Sequence, residues 1–125
     1  MDPNTLLWKE HFQMVSKGEI WTANLNPVKK NNEMGKIRPV LIFQTDELNH
    51  SDYPTTIVIP FTTVLINDAE PIRMRILKRE NLIKDSDLII TQIRSVDNSR
   101  FIEKVASLTP EEYIKVKEFF QELIG

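Results

Sequence analysis

The spacing of hydrophobic positions changes along the chain. Over residues 2–15, Leu7, Trp8, His11, Phe12 and Val15 are linked by i, i+3 and i, i+4 steps, which gathers them on one side of a helix. Asp2 or Asn4 can cap that helix, and Pro3 suits its first turn. Gly18 ends it, and the period falls to two. From Glu19 to Leu25, Trp21, Ala23 and Leu25 face one way and Ile20, Thr22 and Asn24 the other, which predicts a half-buried strand. Asn26-Pro27 signals a turn, and residues 28–36 form a polar loop without hydrophobic period. Gly35 within it can take backbone angles closed to other residues.

Pro39 to Thr45 reads as an apolar strand with a polar end. Residues 46–54, rich in Asn, Asp and Ser, read as a loop containing His50. Thr55 to Phe61 is a β-branched run, a central strand closed by Thr62 and Thr63. Pro60 near its end lacks a backbone donor and predicts an edge or a bulge there. Ile72 to Leu77 sets Arg73 and Arg75 outward against Ile72, Met74 and Ile76 inward. Leu88 to Gln92 predicts another strand, residues 93–99 a loop or helical turn, and Phe101 to Leu108 a last strand. A helix follows. Thr109 is an N-cap, Pro110 its first residue, Glu112 completes a capping box, and Tyr113, Val116, Phe120 and Leu123 form its buried face. Helix, five or six short strands, helix: this order predicts a mainly β, α+β domain spanning residues 1–125, a small antiparallel sheet or barrel with helices at its ends.

The chain has 125 residues, 41% hydrophobic and 27% charged, within the range of one soluble globular domain. It has no apolar run near the ~18 residues that span a bilayer, and its first residues lack a secretion signal, so a cytoplasmic, membrane-free protein is expected. Cysteine is absent, which excludes disulfides, thiolate catalysis and cysteine-based zinc sites. Of the two histidines, His11 falls on the apolar helix stripe and reads as a packing residue, and His50 is a loop histidine given no chemistry. The net charge of −2 does not suggest a general nucleic-acid binder. Its distribution does more. Lys29, Lys30, Lys36 and Arg38 stand against Glu33 alone, and Arg73, Arg75, Lys78 and Arg79 against Glu80 alone. Two such patches suit a polyanion, although solvated loop charge explains any single residue as well.

Arg38 is the most pointed of these cations. It lies where the polar loop meets an apolar strand, and Pro39 biases it toward extended backbone. A guanidinium held rigidly beside other cations is suited to gripping phosphate. An ordinary surface arginine at a strand start fits the residue types equally.

Four ordered motifs add to this reading: Gly18-Glu-Ile-Trp-x-Ala-x-Leu-x-Pro27, Glu33-x-Gly-x-x-Arg38-Pro39-Val-Leu-Ile, Thr55-x-Ile-Val-x-Pro-x-Thr62 and Thr91-Gln-Ile-Arg-Ser-Val-Asp97. Together they resemble the MazF/PemK family of type II toxin–antitoxin toxins, over roughly residues 17–124. The resemblance implies a CcdB/PemK/MazF-like, SH3-like β-barrel with residues 1–16 as an added helical extension. It implies a homodimer that needs neither metal nor cofactor, cleaves single-stranded RNA at short sequences, is neutralised by a cognate antitoxin and meets DNA through the antitoxin complex. Arg38 matches the family's catalytic arginine, Thr62 its catalytic threonine and Glu33 the glutamate of the preceding loop. Glu33 then has two readings, a general base or a residue that positions the loop. Gln92, with Lys29, Lys30, Asn31 and Lys36 of the loop, would contact RNA, and Tyr53 and Phe61 are the candidate base stackers. The loop from Lys29 to Gly35 is less rich in glycine and serine than in many relatives, and Trp21 replaces a commoner tyrosine. Two other expectations stand beside this one: a gyrase poison similar to CcdB, and a barrel that binds RNA or peptide without turnover.

Overall fold

The computed structural model describes residues 14–26 and 36–125. The helix predicted over residues 2–15 lies outside them except for Met14 and Val15, which are not helical. The loop that carries Lys29, Lys30, Asn31, Glu33 and Gly35 also lies outside the described residues.

Seven antiparallel strands are described: β1 (Glu19–Asn24), β2 (Ile37–Ile42), β3 (Thr55–Thr62), β4 (Arg73–Ile76), β5 (Ser86–Ile89), β6 (Arg94–Asp97) and β7 (Phe101–Ser107). Their order is β4-β5-β3-β2-β1-β7, with β6 also on β3. A short helix, α1 (Asp46–Asn49), stands where a loop was expected, and α2 (Pro110–Ile124) closes the chain. No helix among the described residues is long and apolar enough to cross a membrane.

β3 organises the sheet. One edge pairs with β2, setting Val40 against Pro60 and Ile42 against Val58. The other edge is shared: Thr55–Val58 pairs with β6, and Phe61–Thr62 with β5. A 3-10 turn at Ile90–Gln92 carries the chain between those two partners. The Ile57 carbonyl accepts from the Phe43 amide on the β2 side, so by alternation the Pro60 nitrogen faces the other edge, in the gap between Arg94 and Leu88. The missing donor therefore falls where β3 changes partners, which is how a central strand tolerates proline.

Apolar clusters form on both sides of the sheet. Ile20, Leu41, Ile59, Phe61, Met74, Ile76, Leu88 and Ile90 pack with Val116 of α2. Trp21, Ala23, Val40, Ile42, Val58, Val96 and Phe101 form a second cluster with Val15. This explains the nearly unbroken apolar runs of β2 and β3. It also corrects the half-buried reading of β1, because Ile20 and Trp21 are both buried on opposite faces.

The helix signals held. The Thr109–Glu112 capping box is present, with Pro110 in the first turn. Val116 is buried, and Phe120 meets Phe43 edge-on at 5.5 Å. Burying Val116 contributes about 1.5–3 kcal/mol. Arg79 grips both Glu112 oxygens, with Nη2 donating to Oε2 at 2.8 Å, so the helix start is tied to the loop after β4. Gly18 holds φ +85°, a left-handed turn, and its amide and carbonyl reach Ile42 and Leu108.

Other expectations changed. The strand expected from Leu88 to Gln92 runs instead from Ser86 to Ile89, and residues 94–97 form a strand rather than a loop. Ile72 is 49% exposed, because β4 begins only at Arg73.

Candidate nucleic-acid interface

Arg38 is the second residue of β2, opposite Ala23 of β1. Beyond it the Leu25 amide donates to the Lys36 carbonyl at 2.8 Å. The ladder thus reaches past Arg38 and holds its backbone extended, as Pro39 predicts. Arg38, Lys36, Leu25, Asn26, Pro60, Gln92 and Arg94 line an open cleft of about 320 Å³.

Two features of β3 bring the last residues there. Its pairing of Val58 with Arg94 sets Arg94 on the same face as Val58 and Pro60. The 3-10 turn then places Gln92 beside the start of β6.

Among the described residues the lining carries three cations and no carboxylate. Among the described residues, none of Lys36, Arg38 and Arg94 has a side-chain hydrogen bond or ion pair. Like charges within one cleft repel each other and attract a polyanion. Two forked guanidinium groups suit adjacent phosphates, and Gln92 adds an amide donor and acceptor of the kind that reads a base edge.

Thr62 is half-buried at the end of β3, opposite Asp87 of β5. It is not among the residues lining the cleft. Val40 pairs with Pro60, and by strand alternation Arg38, two residues before Val40, and Thr62, two residues after Pro60, share that face. The Thr62 hydroxyl oxygen accepts from the Val64 amide at 3.2 Å.

Three of the four cations of the second basic patch, Arg73, Arg75 and Arg79, are spent within the fold. Arg73 and Arg75 bind the buried Asp87, and Arg79 binds Glu112. Burial pushes the Asp87 carboxyl upward, but hydrogen bonds from Arg75, the Ile66 amide and Arg73 outweigh it and hold its pKa below the ordinary value. On a face read as open to a polyanion, the three arginines are therefore ion-paired to the chain's own carboxylates.

His50 ends α1 with Nε2 2.8 Å from the Ser16 hydroxyl, away from the cleft lining. Phe61 is 1% exposed and belongs to the core, so it is no base stacker. Tyr53 is exposed but does not line the cleft. Among the described residues, no three His, Asp or Glu side chains gather as they would around a metal ion.

Arg94 is the residue that sequence reasoning passed over. Its segment read as loop, because Arg94 to Asp97 hold one apolar residue, Val96, and carry little strand pattern.

A family model described as the PemK-like, MazF-like toxin of type II toxin–antitoxin systems matches residues 16–124. The chain belongs to that family. Endoribonuclease MazF of Staphylococcus epidermidis is 36% identical over 105 residues, covering 82% of this chain and 85% of the relative. A MazE–MazF crystal structure from Deinococcus radiodurans shares the fold, with TM-score 0.71 and 19% identity over 90% of this toxin and 98% of that chain. So does an endoribonuclease in complex with its cognate antitoxin from a mycobacterial species, with TM-score 0.67 and 13% identity over 90% and 95% of the two chains. The toxin is thus a homologue of an endoribonuclease, and its antiparallel sheet with a C-terminal helix is the fold of those structures.

Proposed function

We propose that this toxin is a sequence-selective endoribonuclease that cuts single-stranded RNA in the cleft of Arg38, Lys36 and Arg94, works as a homodimer and is neutralised by a cognate antitoxin. The observation that carries the reading is the placement of Arg38. Its motif resembles that of the family's catalytic arginine, and among the described residues it lines a cleft with two further cations and no carboxylate.

The reaction is an internal transfer. The ribose 2′-oxygen attacks the adjacent phosphorus and gives up its proton. The P–O2′ bond forms, the P–O5′ bond breaks, and the leaving 5′-oxygen takes up a proton. The ends are a 2′,3′-cyclic phosphate and a 5′-hydroxyl. Negative charge grows on the phosphoryl oxygens as phosphorus becomes five-coordinate. Arg38 stays cationic and presents a fork to two of those oxygens. A guanidinium offers donors and no acceptor, so the 2′-proton goes elsewhere. Thr62 supplies a neutral hydroxyl donor to the same group, and Glu33 of the preceding loop either takes the 2′-proton or positions that loop. Lys36 and Arg94 hold the flanking phosphates, and Gln92, with Lys29, Lys30 and Asn31, contacts the strand. An antitoxin with an acidic segment would occupy this cationic cleft and exclude RNA.

The test is incubation of the purified toxin with labelled single-stranded RNA in excess EDTA, beside Arg38→Ala, with analysis of fragment ends and of dimer mass by light scattering. Discrete cuts with cyclic-phosphate and 5′-hydroxyl ends, absent in the variant, support the proposal. RNA that binds but stays intact across diverse substrates overturns it in favour of a binding module.

A further inference from the structure

Asp87 is 1% exposed, yet it sits beside the residue matched to the catalytic threonine, not in a remote core. It is the backbone partner of Thr62 across β3 and β5. Its Oδ2 accepts from the Ile66 amide at 2.9 Å and from Arg73 Nη1 at 3.1 Å. The same Arg73 nitrogen donates to the Val64 carbonyl at 2.8 Å. The Val64 amide in turn donates to the Thr62 hydroxyl oxygen. One carboxylate and one guanidinium therefore fix both ends of the short segment that leaves β3, and that segment holds the threonine hydroxyl.

The consequence is a matter of donor and acceptor counts. A threonine hydroxyl has one hydrogen to donate and two lone pairs. The Val64 amide occupies a lone pair, so the hydrogen is left for another acceptor, and the oxygen is anchored in place. A hydroxyl held this way is oriented as a donor, the role a phosphoryl oxygen acquiring charge requires.

We propose that Asp87 and Arg73 are positioning residues that orient the Thr62 hydroxyl toward the scissile phosphate. The proposal rests on the endoribonuclease reading of Thr62. Arg75 serves as a graded comparison. It also binds Asp87, through Nε to Oδ1, but its other contact is the Asn67 side chain at 2.9 Å, and it does not touch Val64.

The experiment is steady-state cleavage of a fluorogenic oligoribonucleotide that the wild-type toxin cuts, with folding checked by circular dichroism. Arg73→Gln is expected to lower kcat by about tenfold or more, with KM within about twofold. Arg75→Gln, which leaves Arg73 on both Asp87 and Val64, is expected to lower kcat less than Arg73→Gln does. In a Thr62→Val background, Arg73→Gln should add nothing, the mark of two residues acting through one hydroxyl. Equal losses in the two arginine variants, multiplying losses in the Thr62→Val background, or full activity of Arg73→Gln would each overturn the proposal. If Arg73→Gln does not fold, Val64→Pro, shown by circular dichroism to be folded, removes the amide that donates to Thr62. Loss of kcat there supports the brace, and wild-type kcat ends it. Failure of the wider reading looks different. A wild-type toxin that cuts no RNA ends both ideas, whereas cleavage that survives Thr62→Val but not Arg38→Ala ends this one alone.

Discussion

Arg38 stands across the β1–β2 ladder from Ala23, whose methyl group is fully buried. The residue opposite the guanidinium thus offers neither a charge nor a hydrogen bond. An arginine in a stabilising role normally has a carboxylate or carbonyl partner, as Arg73, Arg75 and Arg79 do here. Arg38 has none among the described residues, and the local backbone is held by strand pairing rather than by its side chain.

Arg38→Ala is therefore expected to separate activity from stability. Cleavage should fall by about 10²–10³ or more, the usual cost of removing a transition-state donor. The unfolding free energy should stay within about 0.5 kcal/mol of wild type, as for a surface change without partners. Denaturant melts and single-turnover cleavage measure the two separately. A variant that cleaves at the wild-type rate would return Arg38 to an ordinary strand-start residue.

Arg94→Gln tests the cation that the β3–β6 pairing delivers. It is expected to weaken RNA binding and leave the cleavage rate of bound RNA nearly unchanged. Each phosphate contact on a single strand contributes about 0.7 to the slope of log affinity against log salt. Titrating a non-cleavable RNA analogue at several salt concentrations should show a slope shallower by about that amount. An unchanged slope would remove Arg94 from the phosphate contacts.

Arg79→Met breaks the forked bond between Arg79 and Glu112 and leaves the Thr109–Glu112 capping box intact. Both side chains are largely shielded, so the loss is expected to be about 1–3 kcal/mol. Tm should drop by several degrees, with RNA cleavage at low temperature preserved. Calorimetry beside an activity assay reads both. A Tm equal to wild type would mean that helix packing alone holds α2.

Acid should unfold the toxin through its two shielded carboxylates. Burial raises the Asp87 pKa, and its hydrogen bonds from Arg75, Ile66 and Arg73 lower it further than burial raises it. For Glu112 the hydrogen bond from Arg79 leads in lowering the pKa, against burial. Both carboxyls thus bind protons less readily folded than unfolded. Their stabilisation is complete above the unfolded carboxylate range, and it is lost as the pH falls below about 4 toward the folded pKa values. Urea melts from pH 7 to pH 3 should show this decline. Asp87→Asn should flatten part of it, at the cost of lower stability at neutral pH. A wild-type profile flat down to pH 3 would contradict these shifts.

Legibility varied with the range of the interactions. The α2 boundaries were plain, because a capping box and a 3.6-residue apolar period act within a few residues of each other. β6 was missed, because a four-residue strand carries little pattern and is fixed by β3 alone. The second basic patch was misread for a related reason. Arg73 and Arg75 alternate as a solvent-facing edge would, and their partner Asp87 is distant in sequence.

By itself the sequence determined the family, the order of the described strands except β6, the C-terminal helix and the identity of Arg38 as the cation to examine. These follow from periodicity, capping and backbone restriction at proline, all local effects that a linear pattern records. The tertiary structure decided which charges remain available. Pairing across β3 brought Arg94 into the cleft with Arg38 and Lys36, and the buried Asp87 paired Arg73 and Arg75 within the fold. A side chain's charge is written in the sequence, but whether that charge is neutralised depends on which strands meet.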